Sequence, residues 1–366
     1  MNFYESELKA LKRSSRFRER QIYDDTTVDF ASNDYLGLAH NKELLEFTCK
    51  SLSSCDAHAP KASMLVNGYH QIHKEFETAL CRANGFEDAI VVGSGFSANM
   101  ALIESLLRRG DELFIDEKFH ASGVLATRTL EAEVTYFRHN DADDLKIKLD
   151  ASKSGRKVIA VEGVYSMDGD LLNSEIIDLS DSYEALLIVD EAHSSGVIGK
   201  QLLGVFDYYN ISIKPNYIKM GTLGKAYGSF GGYILASSHI IEYLLNRAKP
   251  IIYATAPSLF DTLLAHKSLE YILKNSTPLS KKIKARQAIV NSILGSNIEA
   301  LIAPVVFADN KKVMQIKQRL LDEGILVGAI RQPTVASAII RVIARLGESE
   351  DALKYTCKIV NDFRVE

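Results

Sequence analysis

Two short segments stand out for the chemistry that their residue types could do. In Ile188-Val189-Asp190-Glu191-Ala192-His193 an apolar run ends on an acid, and an imidazole follows three residues later. An acid that closes a buried strand is costly to charge unless it meets a cation, and a heterocyclic nitrogen that must stay protonated would be one. A strand-end Asp that only caps the next turn reads equally well from these residues alone. In Met220-Gly221-Thr222-Leu223-Gly224-Lys225-Ala226-Tyr227-Gly228 a single Lys lies among small residues. A ligand can approach such a Lys closely, and a Lys partly removed from water can form a Schiff base. Thr222 could hydrogen-bond a phosphate. The bland alternative is a surface Lys in a Gly-rich turn. Asp-x-x-His followed by Thr-x-x-Lys at the end of the next strand is harder to produce by chance than either alone.

A third segment, Val92-Gly93-Ser94-Gly95-Phe96-Ser97-Ala98, joins a strand to a helix. The free N–H groups and dipole of a helix N-terminus suit an anion. The segment also matches the G-x-G-x-x-A dinucleotide fingerprint, with Asp116 near the required acid position. A nicotinamide oxidoreductase built on Gly93, Gly95 and Asp116 is therefore a rival reading. It would leave Asp190, His193 and Lys225 without a task, whereas a phosphate cradle accounts for all three segments. His120, in Phe119-His120-Ala121-Ser122, and Asn33, in Ser32-Asn33-Asp34-Tyr35, are lesser candidates. His70 and His73 have metal-ligand spacing but no evident third ligand, so no metal is expected. Arg341 lies inside an apolar strand, where a guanidinium needs a carboxylate from the protein or a substrate. No G-x-S-x-G elbow or Walker loop occurs.

The elements that must position these residues follow from hydropathy. Short apolar runs at Ala89–Val92, Leu113–Ile115, Val134–Phe137, Val158–Val161, Ala185–Val189, Tyr217–Met220 and Tyr233–Ala236 alternate with helical patterns. Strands that do not alternate with polar residues belong to a sheet covered on both faces. The fold class is α/β, a large, mostly parallel sheet domain with helices on both faces and a smaller α+β domain after it. The expected divisions are a helical arm over 1–34, a large domain over 35–250 and a C-terminal α+β domain over 251–366. The first twenty residues read as a polar helix whose basic residues include Arg18. The chain has 366 residues, 46% hydrophobic and 25% charged, with a formal net charge of −4. That balance argues against nucleic acid as a partner. Four cysteines without C-x-x-C spacing argue against a disulfide scaffold, and no apolar run suits a membrane span. A cytoplasmic protein is expected.

The motifs together resemble the α-oxoamine synthases, pyridoxal-phosphate enzymes of aminotransferase fold type I. The resemblance runs nearly end to end. It rests on Ser32–Leu38, Gly93–Phe96, His120-Ala121-Ser122, Glu162–Asp170, Asp190–His193 and Thr222–Ala226. It implies that Lys225 holds pyridoxal 5'-phosphate, that Asp190 pairs with the ring nitrogen and that His193 and Ser166 bond near the ring oxygen. His120 would stack on the ring. Gly95, Phe96 and Thr222 would hold the phosphate, with Thr255 reaching it across a homodimer interface. Asn33 and Arg341 would hold the amino-acid carboxylate, and Arg18 and Thr334 would lie near the acyl donor. Ala329–Val335 is similar to the segment of those members that condense L-alanine with a pimeloyl thioester, carried by coenzyme A (pimeloyl-CoA) or by acyl carrier protein. A sister activity joining glycine to an acetyl thioester is the alternative. A degenerate binding or scaffold subunit would have no need of Lys225, Asp190 and His193 together.

Overall fold

The computed structural model describes residues 3–14 and 16–365. Its strands are β1 (Val28–Phe30), β2 (Asp88–Val92), β3 (Glu112–Asp116), β4 (Glu133–Phe137), β5 (Lys157–Glu162), β6 (Leu186–Asp190), β7 (Tyr217–Thr222), β8 (Gly232–Ala236), β9 (Ile302–Val306), β10 (Ile325–Ile330) and β11 (Ile339–Ile343). The chain divides into two compact units. The larger comprises Asp34–Ser166 and Asp170–Lys282; the smaller comprises Met1–Asn33, Met167–Gly169 and Ile283–Glu366. Among the described residues no helix is long and apolar enough to cross a membrane.

The larger unit is built on a seven-stranded sheet of order β2-β8-β7-β6-β5-β3-β4. All pairings from β7 to β4 are parallel, and β8 runs antiparallel to both of its neighbours. Val158–Val161 and Leu187–Val189 are wholly buried, the continuous apolar character that a two-sided sheet demands. Helix Gly95–Leu106 buries Ala98, Ala101, Leu102 and Ile103 against one face. Each such fully buried side chain larger than Ala is worth roughly 1.5–3 kcal/mol. The parallel register sets Glu162 beside Asp190 and Asp190 beside Met220. The carboxyl ends of three strands therefore meet at one edge, where sheets of this class bind ligands.

The smaller unit holds a four-stranded sheet of order β1-β10-β11-β9. The N-terminal segment is thus more than an arm, because β1 pairs in parallel with β10. The expected twenty-residue helix is shorter too. It spans Glu5–Arg13, and the Ser14 hydroxyl bonds back to the Ala10 and Leu11 carbonyls at its end. Arg18 lies beyond it in a stretch without regular structure, and Met1, Asn2 and Ser15 fall outside the described residues. The change of texture after Pro250 does not coincide with the division of the chain, which falls at 282/283. Helix Leu259–Lys274 stays with the larger unit because Leu259 and Leu263 pack with Ile72 and Leu52, on helices Gln71–Asn84 and Lys42–Ser53.

A polar knot fixes the loops at the β3 end. Buried Asp116 accepts the N–H groups of Lys118 (2.8 Å) and Asn140 (2.7 Å) and the Tyr165 hydroxyl (2.7 Å). His139 lies between Asp116 and Asp170, at 3.1 Å from each. Burial pulls the His139 ring down, but its bonds to the two carboxylates outweigh it and push it up to about 9. A protonated His139 therefore stabilises the fold fully below the ordinary histidine value, and the contribution is lost as pH rises through about 9. His139→Gln is expected to lower the thermal midpoint markedly at pH 6 and much less at pH 10. Equal losses at both values in calorimetric melts would refute the charged clamp.

Candidate active site

Asp190 ends β6 and is buried. Its Oδ1 accepts the Ala192 N–H at 2.9 Å, and its Oδ2 accepts an N–H of the Asn99 amide at 2.7 Å. The turn after it carries His193, whose ring joins two groups far apart in sequence. Nδ1 lies 2.5 Å from the hydroxyl of buried Tyr35, and Nε2 lies 2.7 Å from Lys225 Nζ. Lys225 sits half-buried in the loop after β7. The sheet edge thus brings Asp190, His193 and Lys225 into one cluster.

His120 is the N-cap of helix Ala121–Thr127. Its Nδ1 receives the Ser122 N–H at 3.3 Å and lies 2.7 Å from Ser122 Oγ. A nitrogen that accepts a backbone N–H presents its lone pair, so the neutral ring carries its proton on Nε2. Surrounding protein holds His120 below the ordinary histidine value. The Asp190 charge acts the other way, and Lys225 adds to the lowering.

Beside Asp190 in register stands Glu162, also buried. Its Oε2 accepts the Ser166 N–H at 3.0 Å, while Oε1 has no partner among the described residues. Burial and then the charge of Asp190 push Glu162 well above the usual carboxylate range; the Ser166 bond opposes them. Two adjacent buried carboxyl groups favour keeping a proton on one of them.

The anion cradle forms at the neighbouring strands. Ser94 caps helix Gly95–Leu106, its hydroxyl accepting the Ser97 N–H at 3.0 Å and its carbonyl the Ala98 N–H at 3.0 Å. The N–H groups of Gly95 and Phe96 precede these at the open end of the helix. Thr222 comes close: a Cβ on Gly95 would stand 3.4 Å from Thr222 Cβ. A Cβ on Gly232 would come within 2.7 Å of the Ser94 carbonyl carbon, so only glycine lets the loop lie so near β8. Thr255 is exposed in the loop before helix Leu259–Lys274.

The smaller unit makes two further pairings among the expected residues. Arg341, buried on β11, donates to Asn33 Oδ1 at 3.3 Å, and Arg18 donates to Thr334 Oγ1 at 3.2 Å. Two alternatives to the expected site lose support. Asp116 is closed off by its own protein partners and offers nothing to a ribose, and β2 lies at the edge of the sheet instead of its centre. Both features count against the dinucleotide reading. His73 accepts the His70 N–H on Nδ1 (3.0 Å), and its Nε2 meets the Pro257 carbonyl (2.9 Å), so the histidine pair is structural. Tyr35, Asn99 and Glu162 are the residues missed. Asn99, a polar residue inside a strongly apolar helix, was the visible signal.

The family model for aminotransferase class I and II matches residues 25–360. The 8-amino-7-oxononanoate synthase of Helicobacter pylori is 42% identical over 98% of this chain and 97% of its own length. The solved 8-amino-7-oxononanoate synthase of Francisella tularensis is 25% identical with a TM-score of 0.79, covering 93% of this chain and 98% of that one. Serine palmitoyltransferase from S. paucimobilis, solved with pyridoxal phosphate joined to myriocin, gives a TM-score of 0.89 over 98% of this chain and 96% of that one. At 22% identity, that likeness concerns the fold.

A carboxyl raised by burial destabilises the fold as pH climbs above its unfolded value, because the folded protein must retain a proton that the unfolded chain releases. Glu162→Gln is therefore expected to be more stable than the parent at pH 8, and nearer to it at pH 5. Melting curves showing a variant less stable at pH 8 would contradict a protonated Glu162.

Proposed function

The chain belongs to the aminotransferase class I and II family, and we propose that it is a pyridoxal 5'-phosphate-dependent acyltransferase of biotin synthesis. It condenses L-alanine with a pimeloyl thioester, of coenzyme A or of acyl carrier protein, releasing carbon dioxide and the thiol. The product is 8-amino-7-oxononanoate. The observation that carries this reading is the 2.7 Å approach of Lys225 to His193 beside the strand-end Asp190. Identity of 42% along almost the whole chain to a relative named for that product supports it.

The residues present fit the cofactor. An acid at a buried strand end suits a protonated ring nitrogen, and the open helix end beside Thr222 suits a phosphate. Asn99 Oδ1 and Glu162 Oε1, buried without partners, add polarity next to Asp190. When bound, the cofactor supplies an electron sink for the pair released from a Cα bond of the amino acid. The protein provides the rest. Lys225 Nζ would hold the cofactor and would carry the Cα proton. Asp190 keeps a proton on the ring nitrogen. His193 and Ser166 bond the ring oxygen, while Gly95, Phe96 and Thr222 fix the phosphate. His120 would lie against the cofactor, and its Nε2–H would donate to the acyl carbonyl. Arg341 with Asn33 orients the amino-acid carboxylate so that the bond to be broken stands perpendicular to the ring. Arg18 and Thr334 face the acyl donor.

The working form is a cytoplasmic homodimer in which Thr255 reaches the partner's phosphate. Exposed apolar side chains on the larger unit, Val66 at 78% and Tyr253 at 80%, support a protein-covered surface there.

A thiol-release assay tests the reading. Turnover of alanine with pimeloyl thioester is expected, together with visible absorbance that borohydride reduction and Lys225→Ala both remove. Turnover of glycine with acetyl thioester alone would assign the sister activity instead. Arg341→Ala is expected to raise KM for alanine about tenfold or more, the loss of a charge-assisted contact. An unchanged KM would free Arg341 of that role.

A further inference from the structure

We propose that Asn99 is a positioning residue that ties Asp190 to His120 through Ser122, one hydrogen-bonded path fixing both groups. The proposal rests on the reading above, in which Asp190 and His120 address the same bound cofactor. Asn99 lies in the helix that follows the anion cradle and is 1% exposed. Its Nδ2 donates to Asp190 Oδ2 at 2.7 Å and to Ser122 Oγ at 2.9 Å. Ser122, also buried, stands 2.7 Å from His120 Nδ1 through the same oxygen.

The polarity of this path is forced at each link. An amide nitrogen can only donate, so Ser122 Oγ must accept from Asn99. The Ser122 N–H makes His120 Nδ1 an acceptor, so the 2.7 Å contact there takes the Ser122 hydroxyl proton. Nδ1 is doubly occupied as an acceptor, and the imidazole proton is confined to Nε2. The charged groups acting on His120 are Asp190 and Lys225.

A structural role alone does not explain the arrangement. Asn99 Oδ1 is buried without a partner among the described residues, so the amide is held for its two N–H groups while its oxygen goes unsatisfied. An apolar side chain of the same size would fill this place in an apolar helix without that penalty. Aspartate would set a second negative charge against Asp190 and could not donate.

The test uses the full-length holoenzyme labelled with 15N-histidine. Long-range 1H–15N spectra report the His120 tautomer, with the signals assigned by their loss in His120→Gln. The parent is expected to show only the Nε2–H form. Ser122→Ala leaves Nδ1 only the longer 3.3 Å contact with the backbone N–H, and Asn99→Ala leaves the hydroxyl unoriented, so both are expected to show a mixture of tautomers. Each variant should lower kcat about tenfold with KM for alanine unchanged. The double variant should lose about tenfold, not a hundredfold, because both break one path. Ser122→Thr, which keeps the hydroxyl, should restore the single tautomer. An unaltered tautomer in folded Ser122→Ala, or rate losses that multiply, would overturn the relay. Should Asn99→Ala fail to fold, Ser122→Ala and Ser122→Thr decide the matter between them. The spectra decide it even if the parent lacks the proposed turnover, so failure of the relay and failure of the functional reading are separable.

Discussion

Two carboxyl groups side by side at the end of a buried parallel sheet are the constraint around which the larger unit is arranged. Register puts Glu162 next to Asp190, and both are out of water. Two negative charges there would be strongly unfavourable. Glu162 is pushed well above the carboxylate range. Asp190 in turn is ringed by donors, from Asn99 and from the Ala192 N–H. The contrast sorts two identical functional groups by their surroundings. One is set up to stay neutral, and the other is held by two N–H donors.

The neighbouring groups extend that logic. His193 is held from behind by Tyr35 and faces Lys225. His120 is held from behind by Ser122. In each case a hydroxyl occupies Nδ1 and leaves Nε2 as the working atom. Imidazoles are mobile in orientation and in tautomer; a bonded Nδ1 holds each ring in place before any ligand arrives, and at His120 the Ser122 N–H also sets the tautomer. Tyr35 comes from a segment 158 residues away from His193, so that support depends on the larger unit being folded, whereas Ser122 stands two residues from His120.

Much of this was legible in the sequence because buried parallel strands declare themselves as unbroken apolar runs. Asp190, Lys225 and the Gly93–Phe96 turn stood out as polar or glycine-rich breaks at the ends of such runs. Other features left no such mark. Hydropathy carries no strand direction, so antiparallel β8 looked like its neighbours. β1 is three residues long and too short to show a period. The end of the first helix depends on the Ser14 hydroxyl bonding back to its carbonyls, which charge patterning does not reveal. Asn99 and Tyr35 act through partners 91 and 158 residues away, beyond the reach of local spacing. The division of the chain falls after Pro250 because helix Leu259–Lys274 packs with Ile72 and Leu52 on helices Gln71–Asn84 and Lys42–Ser53, a contact that hydropathy does not reveal.

The antiparallel β8 has one more consequence, for the order in which the protein can be made. β2 leads into helix Gly95–Leu106, and among the described residues its one neighbour in the sheet is β8. Gly232 pairs with Val92 on one side and Thr222 on the other. A ribosome adding roughly 5–20 residues per second therefore finishes β2 several seconds before its partner exists. During that interval Asp88–Val92 is an apolar strand with open edges, the kind of segment that pairs with the wrong chain. The strand that leads into helix Gly95–Leu106 is among the first parts of the sheet to leave the ribosome and must wait for the sheet's last strand to secure it.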